Sequence, residues 1–256
     1  MGLKSKEPLV IYWSPYSSAG TSEPLVGEYN LLYPDPENVY SSLVRRMPES
    51  KNDRSIQTYM SCPAASARLK NMWVFKAPFT MEYGYDFSDP ENPQVWNITE
   101  GYFAARVNRK SVIKDAAIVS FSIKHMFFSE ESTIPLFGPP IMFKPRYMNY
   151  GTSIPGAFDI SKWFRPHVFE VQMWDSVGTF KIEEGEPLFT VEFITDRPIQ
   201  MKRFAMSKAL IEYSDSCVDS HQYFGRWIGL AKKYDIFTNS KMDKLVLKEI
   251  KNNLVD

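Results

Sequence analysis

Residues 179–193, TFKIEEGEPLFTVEF, constrain the fold more than any other stretch of the chain. They read as strand, acidic turn, strand. In the second strand Leu188, Thr190 and Glu192 alternate with Phe189, Val191 and Phe193, the two-residue period of a strand with one packed face. Gly185 supplies the backbone freedom that the turn needs. Pro187 lacks an N–H, so it fits only a strand entrance or an edge. A β-sheet with a buried face is the first requirement on the fold.

Two further stretches repeat the pattern. Over residues 118–128, Ile118, Ser120, Ser122 and Lys124 fall on one face and Val119, Phe121, Ile123 and His125 on the other. Residues 9–13 and 72–76 are short apolar strands, and residues 79–87 alternate as a hairpin partner for 72–76. Residues 163–174 form a strand region interrupted by Pro166. The 18 prolines favour many short segments joined by turns, and the 256 residues suffice for one large β-rich domain with its own core.

Helical signals are local. Residues 38–46 read as a short helix, and residues 63–70 as one or two turns, with Pro63 at the start and Asn71 at the end. After Pro198 the character changes: residues 220–234 carry apolar side chains at helical spacing, and a second helix begins at Ser240 as its cap. The domain reading is a β-rich body over residues 1–204 and a helical C-terminal appendage over 205–256. The fold class is mainly β (α+β), a β-sandwich or cupin-like or jelly-roll barrel with C-terminal helices.

Composition excludes several functions. Lys plus Arg and Asp plus Glu are both 30, so no net field draws the chain to nucleic acid or an anionic membrane. Arg106, Arg109 and Lys110, and Lys144 with Arg146 and Tyr147, mix cations with aromatics as single-stranded nucleic-acid clamps do, but these patches are short and read as surface loops. No apolar run is long enough for a membrane helix. Residues 1–6 lack the apolar core of a secretory signal, and Lys6 stands where a myristoylation motif wants Ser or Thr. Cys62 and Cys217 match no zinc, redox or disulfide spacing and read as two buried free thiols.

Catalytic constellations are missing from the string. The three histidines, His125, His167 and His221, have Phe127, Phe169 and Tyr223 two residues on, where a His-x-carboxylate iron site needs Asp or Glu. Asp219, Ser220 and His221 are neighbours in sequence, which on a helix points them apart, and Ser220 reads as a cap. Glu183, Glu184 and Glu186 crowd one turn and read as a solvated tip rather than as two carboxyls set across a cleft. Neither a Gly-x-Ser-x-Gly elbow nor a phosphate-cradling loop occurs. No catalytic residue, metal site or cofactor is expected.

One resemblance is carried by residues 62–203. The segments Cys62-Pro63-Ala64, Leu69-Lys70-Asn71 and Ala77-Pro78, the Phe-rich strand 121–128, Gly138-Pro139, Trp163-Phe164 followed by a proline, and Glu184-Gly185-Glu186-Pro187 together resemble an uncharacterised family of bacterial and marine T4-like bacteriophage proteins, a domain of unknown function. The chain departs from the family's acidic residue before Trp-x-Pro and from its Asn-Trp pair, with Lys162 and Met173-Trp174 there. The resemblance implies a cupin-like or jelly-roll-like β fold and transfers no catalytic residue. It also implies a phage-type protein, either a virion component or a host-interaction protein, in the host cytoplasm or the particle.

The proline-stiffened loop over residues 135–155 is the expected working surface, because a loop of that length normally packs or binds something. Phe137, Phe143, Arg146 and Tyr147 on it, with Trp163, are the candidate binding residues. Trp13, Trp73, Trp96, Trp174 and Trp227 divide between core and interface, and the sequence does not assign them. The leading reading is non-enzymatic: protein–protein contact with a phage or host partner, and homo-oligomerisation as a further option. A small-molecule-binding or enzymatic barrel is the alternative, single-stranded nucleic-acid binding a weaker one, and no membrane is involved.

Overall fold

The structure is a computed structural model, and it describes residues 7–16, 32–46, 59–98, 105–110, 116–218 and 228–255. It is mainly β, a sandwich of jelly-roll-like character with helices on both outer faces. The first sheet has six strands. Four of them lie side by side: β1 (Leu9–Tyr16), β7 (Ala117–Phe128), β11 (His167–Met173) and β9 (Gly151–Ser153). β14 (Ile199–Arg203) completes one edge beside β1, and β6 (Ala105–Lys110) pairs with the N-terminal half of β7. Every pairing is antiparallel except β1 with β14, which is parallel with Leu9 opposite Ile199 and Trp13 opposite Arg203.

The facing layer is split in two. One sheet runs β10 (Gly156–Ala157), β8 (Pro135–Gly138), β13 (Pro187–Phe193), β3 (Met72–Lys76) and β2 (Glu37–Asn38). The other runs β12 (Val177–Ile182), β4 (Met81–Asp86) and β5 (Gln94–Asn97). The strand–turn–strand of residues 179–193 is therefore not a hairpin: β12 pairs with β4, and β13 with β3 and β8. Residues 72–76 and 79–87 do not pair with each other either. Pro78 offers no N–H, and Ala77 spends both backbone groups on the acidic turn, donating to the Glu186 carbonyl and accepting from Gly185 N–H, each at 2.8 Å. Two bent chains thus stack corner on corner, and each passes from one sheet to the other. Gly185 sits at φ +77°, the conformation that the turn demanded.

The alternation read in β7 holds, and in β13 it holds from Phe189 on; Leu188, next to a β-bulge, joins Phe189 in the main core instead of facing away. Val119, Phe121, Ile123, His125 and Phe127 point into the space between the sheets, where Trp13, Phe75, Phe169, Phe180, Phe189 and Val191 meet them. The opposite face of β1 and β7 presents Tyr12, Tyr16, Met126 and Phe128 to α3 (Lys208–Val218), α4 (Leu230–Asn239) and α5 (Met242–Asn252). On the far side, α1 (Val39–Arg46) and α2 (Pro63–Lys70) cover Met72 and Val74 of β3. Asn38 Oδ1 accepts from Ser41 N–H at 3.1 Å and so caps α1, while Pro63 opens α2 and Asn71 closes it. Ser240 is not the start of the last helix: its hydroxyl donates to the Phe237 carbonyl at 2.9 Å, closing α4, and Lys241 at φ +57° begins α5. The expected helical stretch over residues 220–227 lies outside the described residues, as do Ser220, His221 and Trp227.

Candidate functional site

Parallel pairing of β1 and β14 places Trp13 and Arg203 side by side, both on the inward face. The Arg203 guanidinium lies over the Trp13 ring, 4.9 Å from its centroid, a cation–π contact. Across the gap, Trp73 of β3 packs against the main core on the same face as Phe75. The chain entering β2 passes between the two sheet edges, and Arg203 Nη1 donates to the Tyr33 carbonyl and to Asp35 Oδ1, both at 3.0 Å. Trp13, Asp35, Trp73, Lys202 and Arg203 line an open cleft of about 640 Å³, within the volume range of small-molecule sites. Met201, Leu254 and Val255 form its apolar walls. The last two are held there by backbone bonds, Val255 N–H to the Arg203 carbonyl at 3.0 Å and Ala205 N–H to the Asn253 carbonyl at 2.8 Å.

Two donors at this cleft have no acceptor. Arg203 keeps 17% of its side chain exposed, yet its Nη2 is buried and has no hydrogen-bond partner among the described residues; the same holds for Trp73 Nε1. A buried donor left unpaired costs about 1–3 kcal/mol, so two at one cleft are an expensive arrangement for packing alone.

Behind the cleft a polar seam enters the aromatic core. His125, 1% exposed, is ringed by Phe75, Phe189 and Tyr33 at 5.0, 5.3 and 5.4 Å between centroids, and its Nδ1 has no partner among the described residues. His167 pairs with it across β7 and β11. The His167 ring stacks on Phe137 at 4.1 Å and meets Phe189 edge-on at 4.8 Å, which dries it although part of the residue reaches the surface. Burial drives both imidazoles down to about 3, helped at His125 by the positive fields of His167 and Arg203 and at His167 by Arg165. Both are therefore neutral at pH 7. Among the described residues no group of three or more His, Cys, Asp or Glu comes together as a metal centre. The described helices include none long and apolar enough to cross a membrane.

The five candidate binding residues do not form one surface. Phe137 and Tyr147 are buried in the main core, and the Tyr147 hydroxyl donates to the Leu188 carbonyl. Trp163 is buried beneath α4, 6.0 Å from Phe237. A side chain in those positions holds the fold together and offers nothing to a partner. Phe143 is half-buried under the Arg46 guanidinium, 5.2 Å away. Arg146 is exposed and pairs with Glu183 at 2.7 Å, while its backbone N–H donates to Glu186. The acidic turn is thus pinned by the loop, not a bare solvated tip. The loop exposes Tyr150, Leu136 and Ile141, the last 69% exposed; Leu136 and Ile141 stand beside a groove of about 200 Å³ that also touches the Arg68–Glu192 ion pair. The side chains of Arg106, Arg109 and Lys110 lie outside the described residues. Cys62 and Cys217 form no disulfide; Cys62 is exposed, contrary to expectation, and burial pushes the Cys217 thiol up to about 11.

Sequence reasoning left Trp13 and Trp73 unassigned and missed Arg203. The signal was present: in residues 199–203, Ile199, Met201 and Arg203 share one face of a strand, so the arginine stands where an apolar residue is due. Comparison with protein-family models, curated proteins and solved structures gave no match.

Proposed function

We propose that this chain is a non-catalytic binding module whose working site is the Arg203–Trp73 cleft and whose ligand is a small molecule. One observation carries the reading: two buried donors without acceptors belong to side chains lining a single open cleft. A ligand acceptor that reached them would recover hydrogen bonds the free protein lacks, and the Trp73 indole would cover its apolar surface. Both nitrogens are sealed from solvent in this conformation, so binding involves rotation of the Arg203 and Trp73 side chains. The carboxylate lining the cleft, Asp35, already accepts from Arg203, and acid–base chemistry would need a second group set opposite it. The test is a thermal-shift panel of metabolites and nucleotides on the full chain. A ligand at a hundred times its Kd stabilises by about 2.7 kcal/mol, and Arg203→Met abolishes that shift. No shift across the panel, or a shift untouched by Arg203→Met, defeats the reading.

The second reading is protein–protein contact, as a virion component or a host-interaction protein. It is favoured by the exposed Ile141 and Leu136 beside the groove of β8 and α2, with Phe143 and Arg146 on the same loop. Ile141→Asp would then abolish co-purification of a partner while leaving the melting temperature unchanged. If the partner is retained, contact at this groove is excluded.

A further inference from the structure

Resting on the cleft reading above, we infer that the ligand is a planar monoanion, an aromatic or heteroaromatic carboxylate. Charge gives the first argument. Arg203 is the cation on the inward face of the cleft, and its anionic partner, Asp35, occupies only the Nη1 side of the guanidinium. The Nη2 side is left for one further acceptor, which a single carboxylate matches better than a phosphate dianion.

Donor arrangement gives the second. The two nitrogens without acceptors, Arg203 Nη2 and Trp73 Nε1, sit on opposite sheets across the cleft. A carboxylate offers two charged oxygens to such a pair of donors, whereas a neutral carbonyl offers one oxygen. Charge-assisted bonds are also about twice as strong as neutral ones.

Shape gives the third. The half-buried Trp73 indole, with Met201 and Leu254, presents apolar surface around those donors, and an indole face favours a flat ring over a branched aliphatic body. The cleft therefore offers a cationic end and an aromatic slot in one space.

The test titrates the full chain by calorimetry and tryptophan fluorescence with four probes: indole-3-carboxylate, its carboxamide, cyclohexanecarboxylate and inorganic phosphate. Indole-3-carboxylate is expected to bind at least tenfold more tightly than each of the other three. Arg203→Met is expected to erase the preference for the acid over the amide, and Trp73→Phe to weaken the acid three- to tenfold. Should Arg203→Met fail to fold, Arg203→Lys, which keeps the charge and loses the second guanidinium donor, and Trp73→Phe still report on the guanidinium and on the indole donor. Equal binding of acid and amide, or tighter binding of phosphate, overturns the carboxylate inference and leaves the cleft reading standing. If none of the four probes binds and the wider panel gives no shift, the cleft reading falls with it.

Discussion

At one end of the space between the sheets, Tyr83, Phe121 and Phe180 meet ring to ring at 5.3–5.6 Å, with Tyr85 and Phe87 stacked alongside. At the other end His125, His167 and Arg203 stand among Phe75, Phe137, Phe189 and Trp13, and three of the polar atoms there have no partner among the described residues: His125 Nδ1, Arg203 Nη2 and Trp73 Nε1. The first end gains transfer free energy from every ring it hides. The second end hides rings too, but loses part of that gain to dry, unsatisfied nitrogens. Stability alone does not produce such an asymmetry. On the reading proposed above, the second end is where the molecule meets its ligand.

The sharpest way to break the comparison is to empty the dry end. Phe180→Ala should cost about 3–5 kcal/mol in urea unfolding, because the surrounding rings cannot collapse into the hole. A loss below about 1 kcal/mol would mean that this end is loosely packed and the contrast is false.

Acid should act on the polar end alone. An unfolded imidazole takes up its proton near pH 6.5, whereas His125 and His167 in the fold hold out to about pH 3. The unfolded chain therefore binds protons first. Stability is complete above pH 6.5 and falls by about 1.4 kcal/mol per pH unit per imidazole as pH drops towards 3. At pH 5 each histidine costs about 2 kcal/mol, and His125→Leu should halve the slope of stability against pH between 6 and 4. A stability that stays flat from pH 7 to pH 5 would show that water reaches both rings.

Smaller changes sharpen the boundary between the ends. Tyr147→Phe removes the hydroxyl bonded to the Leu188 carbonyl and should cost about 1 kcal/mol, as a buried and satisfied bond does. Trp73→Phe deletes a donor that is bonded to nothing and should cost less than about 1 kcal/mol in the ligand-free protein. If Trp73→Phe proved the more damaging of the two, the indole would be a structural group rather than a waiting one.

Legibility in the sequence followed the range of the interactions. The faces of β7 and β13, the glycine turn and both ends of α2 are local, and period and punctuation reveal them. Pairing is not local. Nothing in residues 179–193 says that β12 and β13 belong to different sheets, because that follows from Ala77 meeting Glu186 across the corner. The same limit hid the site. Arg203 ends a five-residue strand whose partner lies at the other end of the chain, and Trp73 looks in the string like any of the buried aromatics. Aromatic residues on a loop point to a binding surface in the string, but Phe137 and Tyr147 anchor the loop in the main core and Trp163 anchors the helical side.

The parallel edge pair has a bearing on biosynthesis. Leu9 finds Ile199 only after about 190 further residues have been made. At ~5–20 residues per second that is a wait of roughly 10–40 s on the ribosome, during which one flank of the first strand is open to whatever strand arrives. A nascent or truncated chain that stops short of Ile199 carries that open flank permanently, and with it a tendency to zip onto a neighbour of its own kind.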